Sequence, residues 1–165
     1  ELEEHNISVK IDLQDKTPGY KFAEAEVNGI PIRLELGERD LKNNKLTIVR
    51  RDTREKIEED INIDLASYIK KLLDTIQHDM YQRALDRQNS LTFEAKNLKE
   101  MEKILNNHPG FIHADWCGDI KCEEKIKEIK GCKSRCILDN EKLITGKCVC
   151  CQKEAKHHVI WGIQY

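Results

Sequence analysis

The side chains best suited to chemistry in this chain are its seven cysteines, and all of them stand between Cys117 and Cys151. Cys117-x4-Cys122 precedes a helix-like stretch, and Cys148-x2-Cys151 lies in a tight turn before a strand-like one. Four-coordinate structural zinc takes four thiolates at tetrahedral corners, and two close pairs on separate turns meet that demand. A C-x2-C turn also lets backbone amides point at the sulfurs and stabilise their negative charge. Cys117, Cys122, Cys148 and Cys151 are therefore the preferred ligands. Two alternatives stay open at this point: Cys150 in place of Cys151, and a further C-x3-C pair at Cys132 and Cys136. His157 and His158 follow closely and could ligate, although one packed and one solvated imidazole is the simpler arrangement. Four thiolates leave no open coordination position, so the zinc would be structural. It would fasten a small domain with too few apolar residues to hold itself together. An odd, clustered count argues against a complete disulfide framework and suits a reducing, cytosolic setting.

A second constellation runs from Gly19 to Asp40. Phe22 and Glu26 are four apart on an expected helix and share a face. Arg33 falls on the non-core face of the next expected strand, with Arg39 and Asp40 in the loop beyond it. An arginine can donate two hydrogen bonds to O6 and N7 of guanine, while a carboxylate can accept from its N1–H and N2 amine. An aromatic ring gives an unpaired base a stacking platform. Blander roles suit the same residues: Phe22 as a core side chain, Glu26 with Arg33 as a surface ion pair of little worth. Lys42, Lys45, Arg50, Arg51 and Arg54 are most simply a solvated face. The formal net charge of −2 gives no bulk case for nucleic-acid binding, so that case rests on local residues. No nucleophile, base or phosphate loop stands out, and no catalytic residue is expected.

Elements must position these groups. Ile7 to Leu13 alternates strictly and predicts a half-buried strand. Thr17-Pro18-Gly19 predicts a turn and Tyr20 to Val27 a helix, with Asn28-Gly29 as a left-handed cap. Ile30 to Leu36 alternates again, with Ile30, Ile32, Leu34 and Leu36 on the core face. Gly37 to Asp40 predicts a turn, Lys45 to Arg51 a strand and Lys56 to Ile61 a short one. From Asp64 to about Asn89, Leu65, Ile69, Leu72, Leu73, Ile76, Met80 and Leu85 recur at helical spacing, with Asp64 as N-cap. Asn97 to Asn106 predicts a helix stopped by His108-Pro109-Gly110. Phe111 to Trp116, Cys132 to Leu138 and His157 to Tyr165 predict strands, Glu123 to Ile129 a helix, and Thr145-Gly146 a turn. The expected division is 1–90, a linker helix region 91–110, and 111–165.

The chain has 165 residues, 35% charged and only 5% aromatic. That suits one medium domain or two small ones with well-solvated surfaces. No apolar run approaches a membrane span, and no signal peptide is visible. The opening ELEEHN resembles the tail of a helix, so a longer polypeptide is expected.

GYKFAEAEVNGIPIRLELGERDL, followed by VRRDTREK, resembles the anticodon-binding domain of prolyl-tRNA synthetases, especially the type shared by archaea, eukaryotes and some bacteria. That type carries a C-terminal zinc-binding domain. Trp116-Cys-Gly-Asp, Cys122-Glu-Glu-Lys-Ile-Lys, Ser134-Arg-Cys-Ile, Gly146-Lys-Cys and Tyr165 fit it too. The resemblance covers nearly the whole chain in order. It implies an α/β anticodon-binding domain with a mixed sheet, lacking its first strand and helix here, followed by a small α+β zinc domain.

The resemblance also implies roles. Phe22 would stack on the anticodon; Glu26, Arg33, Arg39 and Asp40 would read the two guanines of the proline anticodon. The four cysteines match the zinc ligands, and Tyr165 would fold back toward the catalytic domain. That domain, with its ATP and proline sites, would lie elsewhere in a cytoplasmic, homodimeric parent enzyme. Its activity would be joining proline to tRNA(Pro), as a class II ligase. The competing expectation is a free-standing, non-catalytic RNA-binding zinc protein. Three positions depart from the family: Glu38 where proline is frequent, Arg54 where glycine is frequent, and Gln152 in place of the glycine after the last cysteine. Glu38 adds negative charge beside Arg39, and Arg54 in a turn bears on backbone geometry.

Overall fold

A computed structural model describes residues 1–108, 110–138, 144 and 146–163. Pro109, Thr145 and Tyr165, singled out above for a helix stop, a turn and a return toward a catalytic domain, lie outside the described residues. The chain forms two compact units, Glu1–Ala84 and Leu85–Tyr165.

In the first unit a 3-10 turn (Glu3–His5) precedes α1 (Pro18–Val27), β1 (Ile32–Glu35), α2 (Glu38–Lys42), β2 (Lys45–Arg50), β3 (Lys56–Asp60) and α3 (Leu65–Ser90), the last crossing into the second unit. Helix α1 starts where Thr17 accepts from the Tyr20 amide, with proline at the position that needs no donor. It ends in a Schellman motif: Gly29, at φ 76°, donates to Glu26 and Ile30 to Ala25. The sheet order is β1-β2-β3, all antiparallel. Leu46 and Ile48 of β2 meet Ile69 of α3, with Ile32, Leu34, Leu65, Leu72 and Leu73 around them. Asp64 caps α3 by accepting from the Ser67 amide.

Three expectations change here. Ile7 to Leu13 forms no strand, and Val9, Ile11 and Leu13 are exposed. Alternation fixes which side chains share a face, but a strand needs a neighbour with free amides and carbonyls. No described strand pairs with 7–13, and only Ile7 of that stretch reaches the core. The core face of β1 is shorter than expected: Ile30 and Leu36 flank the strand, exposed by 39% and 54%. Glu38–Lys42 is a helical turn rather than an open loop, because the Asp40 carboxylate accepts from the Gly37 amide and caps it.

In the second unit β4 (Thr92–Glu94), α4 (Leu98–Asn107), β5 (Phe111–Trp116), α5 (Ile120–Lys127), β6 (Cys132–Leu138) and β7 (His157–Ile163) build a mixed sheet of order β4-β5-β7-β6. Only β4 and β5 run parallel. Strand β4, unforeseen, and α4 place the stretch expected as a linker inside this unit. Asn97 caps α4, and Glu100 reaches back to the Lys96 amide. Met101 and Leu105 of α4 and Ile126 of α5 cover Ile112, Ala114, Val159 and Trp161 of the sheet.

Candidate metal centre and nucleic-acid interface

Two turns carry the cysteine pairs. Gly118, at φ 87°, lets the chain reverse after β5, and the Asp119 side chain caps α5, which holds Cys122 in its first turn. The second turn is tied at both ends: Cys148 donates to the Lys153 carbonyl and Gln152 to that of Cys148. The Val149 amide bonds to the Asp115 carbonyl and anchors this turn to β5. The sulfurs of Cys117, Cys122, Cys148 and Cys151 then lie within 4.8 Å of one another. Cys117 is 3.7 Å from both Cys122 and Cys151.

Those lengths are diagnostic. A disulfide needs about 2.05 Å. A tetrahedral ion with bonds of about 2.3 Å to sulfur sets the sulfurs about 3.8 Å apart. The group can hold a metal ion. Burial pushes the Cys122 and Cys117 thiols up, whereas the Lys153 amide draws Cys151 down to about 7. Sulfurs this close do not ionise together without a cation among them.

The remaining candidates go elsewhere. Cys150 packs against the hydrophobic core and Cys132 lies within it, while Cys136 is exposed. His157 sits against the Trp116 ring. His158 Nδ1 is 2.7 Å from the Asp115 carboxylate, whose other oxygen accepts from the Gly146 amide. That contact puts the proton on Nδ1 and leaves Nε2 to accept from His113 at 3.2 Å. Burial, then the neighbouring His158, holds His113 below the ordinary imidazole range.

The first unit presents a different arrangement. Antiparallel pairing places Arg33, Val49 and Lys56 in one row across the sheet, and Glu35, Thr47 and Glu58 in the next, on the face opposite the core. Phe22, one turn before Glu26 on α1, lies under the Arg33 guanidinium, 4.1 Å from ring centroid to Cζ. A cation over a ring at this distance is worth about 0.5–2 kcal/mol. Glu35 accepts from Arg33 Nε at 3.0 Å and lies 2.9 Å from its Nη2; its second oxygen meets Lys56 at 3.4 Å. Glu26 is 3.8 Å from Arg33 and, through its other oxygen, 3.8 Å from Arg54. That distance is an ion pair and not a hydrogen bond, so the Glu26 carboxylate keeps its lone pairs for a donor from outside.

Three of the five residues singled out above thus come together, with Arg33 meeting both Phe22 and Glu26. Arg39 and Asp40 lie beyond, on α2, and line an open cleft of about 530 Å³ with Lys45 and Glu58. One Asp40 oxygen is engaged by the Gly37 amide. Glu35 was read on the same face as Arg33 but not as part of the site, and Lys56 was not foreseen, because its place beside them required the strand register.

Residues 1–75 match the family described as anticodon binding domain, and residues 98–165 match prolyl-tRNA synthetase, C-terminal. The chain belongs to the C-terminal region of the prolyl-tRNA synthetase family. It is 49% identical over 157 residues to a proline–tRNA ligase of Clostridium novyi, covering 95% of this chain and 33% of that protein. It is 48% identical over 164 residues to one of Lachnospira eligens, covering 99% and 34%. Prolyl-tRNA synthetase from Cryptosporidium parvum, solved with L-proline and AMP, superposes with a TM-score of 0.86 at 34% identity, over 99% of this chain and 35% of that one. The chain therefore spans about a third of the length of these relatives. No helix among the described residues is long and apolar enough to cross a membrane.

Proposed function

We propose that this chain is the tRNA-recognition part of a proline–tRNA ligase, which joins proline to tRNA(Pro) at the expense of ATP. The observation that carries this is the convergence of Phe22, Glu26 and Arg33 on one half-exposed sheet face, in a chain whose relatives are proline–tRNA ligases. Phe22 and the Arg33 plane offer stacking to an unpaired base. Arg33 donates to O6 and N7 of a guanine, and Glu26 accepts from the N1–H and N2 amine of a guanine. Arg39 and Asp40, at the cleft beside α2, take a second guanine in the same way. No residue of the chain acts on proline or ATP; those sites belong to a catalytic domain elsewhere in the parent, a cytoplasmic homodimer.

At the cysteine centre, Cys117, Cys122, Cys148 and Cys151 would hold zinc, the ion whose sulfur distance and four-coordinate preference suit the spacing. When bound it supplies two positive charges that let all four thiols ionise. A free-standing RNA-binding zinc protein is less favoured, because relatives near 48% identity carry this region within chains about three times as long.

The test is Arg33→Ala in the full-length protein, titrated with the anticodon stem-loop of tRNA(Pro). Loss of one bidentate base contact weakens binding by about 1–3 kcal/mol. Unchanged affinity, with the fold intact, would refute the assignment.

A further inference from the structure

Three cations meet two carboxylates on the Phe22 face: Lys56, Arg33 and Arg54 against Glu35 and Glu26. Arg33 and Lys56 pair with Glu35. Arg54 is the most exposed cation of the three. Its side chain is 81% exposed, and its one ion-pair contact, to Glu26, is at 3.8 Å. Its backbone is also unusual. Arg54 is the fourth of the five residues between β2 and β3, donates to the Arg50 carbonyl at 2.9 Å, and adopts φ 61°. Glycine takes that left-handed conformation without cost, and an arginine does not.

Strain alone assigns nothing. Lys130 has a positive φ of 48° far from either candidate site. Gln152, at φ 61°, has a local reason: its side chain donates to the carbonyls of Lys96 and Cys148. Arg54 has no such side-chain hydrogen bond among the described residues, yet its guanidinium reaches Glu26, at the edge of the group facing the proposed anticodon.

We infer that Arg54 is a further RNA-binding residue, contacting a phosphate of the anticodon loop and held at the rim of the site by Glu26. The inference rests on the proposed function. A guanidinium spreads two donors in the plane that a phosphate accepts, and Glu26 aims it without neutralising a full hydrogen-bonded pair. Phosphate contacts position an RNA and carry no base identity.

The experiment titrates the full-length protein with the anticodon stem-loop of tRNA(Pro) across a salt series. Arg54→Gly should bind about fivefold more weakly near 0.1 M salt and flatten the log–log salt slope by about 0.7, the share of one phosphate on a single strand. The loss should be equal for stem-loops with altered anticodon guanines, and Arg54→Lys should restore the slope. Because glycine suits φ 61°, the variant should melt no lower than the unsubstituted protein. If Arg54→Gly keeps the affinity and slope while Arg33→Ala loses binding, the inference falls and the proposed function stands. No RNA binding by the unsubstituted protein overturns both.

Discussion

The second unit gathers like groups in a buried place, whereas the first spreads alternating charges over a half-exposed face. Four sulfurs within 4.8 Å, with Cys122 and Cys148 buried, form a group that can hold a metal ion and that does not ionise together without one. The run Lys56–Glu35–Arg33–Glu26–Arg54 alternates in sign and needs no ion to form. The cysteine centre can therefore take an ion. The other is available to bind something else, and its unit must draw stability from another source. That source is visible behind the hairpin. Arg50, 8% exposed, donates twice to Asp52 and once to Asp79, and Arg83 bonds to the same Asp52. These contacts tie the β2–β3 loop to α3.

Metal removal should separate the units most strongly. Chelation, or Cys148→Ser, should unfold the second unit and release about one zinc per chain, since structural zinc contributes on the order of 10 kcal/mol to small modules. Both tryptophans, Trp116 and Trp161, belong to that unit, so their fluorescence reports it alone. Amide exchange in β2 should stay slow. Native fluorescence in a metal-free protein would erase the contrast.

The next effect runs the other way. Hydrogen bonding from Arg50, ahead of that from Arg83, holds the Asp52 carboxyl down at about 2. A folded-state value below the ordinary 3.8 means a stabilisation fully present above about pH 4 and lost as pH falls through about 2. A shift of this size is worth about 2 kcal/mol. Acid also protonates thiolates, so acid melting of the unsubstituted protein does not distinguish the units. Asp52→Asn does: it should lower the first unit's stability at neutral pH by about 3 kcal/mol, because Arg50 stays buried with one partner fewer. It should also flatten the acid limb of β2 amide exchange between about pH 4 and 2. An unchanged limb would show that the network is not what holds this unit.

How legible each region was follows from how local its physics is. The cysteine centre could be found by spacing because each pair sits in one turn. The choice between Cys151 and Cys150 could not, since adjacent residues differ only in which way the turn sends them, one to the sulfur group and one to the core. Phe22 with Glu26 followed from helical period, and Arg33 from strand parity. Glu35 shares the parity of Arg33, whereas Lys56 needed the register of β1 and β3 on β2, which no short-range pattern encodes. The Ile7–Leu13 alternation was as clear as that of β1, yet only β1 has a partner strand. Strand β4, three residues long, is too short to show a period. Asp52 and Asp79 are separated by β3 and the first half of α3 and had no signal in sequence at all.

The smallest expected effect tests the contrast at matched backbone geometry. Arg54 and Gln152 share φ 61°, one in each unit. Replacing Arg54 by glycine relieves the backbone and removes no internal hydrogen bond. Replacing Gln152 by glycine relieves it by a similar amount, about 1 kcal/mol, but deletes donations of 3.0 Å to Lys96 and 3.1 Å to Cys148. Each is worth about 0.5–1.5 kcal/mol. Gln152→Gly should therefore destabilise the second unit by about 0–2 kcal/mol, and Gln152→Ala, which keeps the strain and loses the bonds, by more. Thermal melts followed by tryptophan fluorescence should rank the three as Gln, Gly, Ala. If glycine instead ranks first, as it should for Arg54, then the side chain of Gln152 does not brace the cysteine turn, and the two left-handed positions are alike.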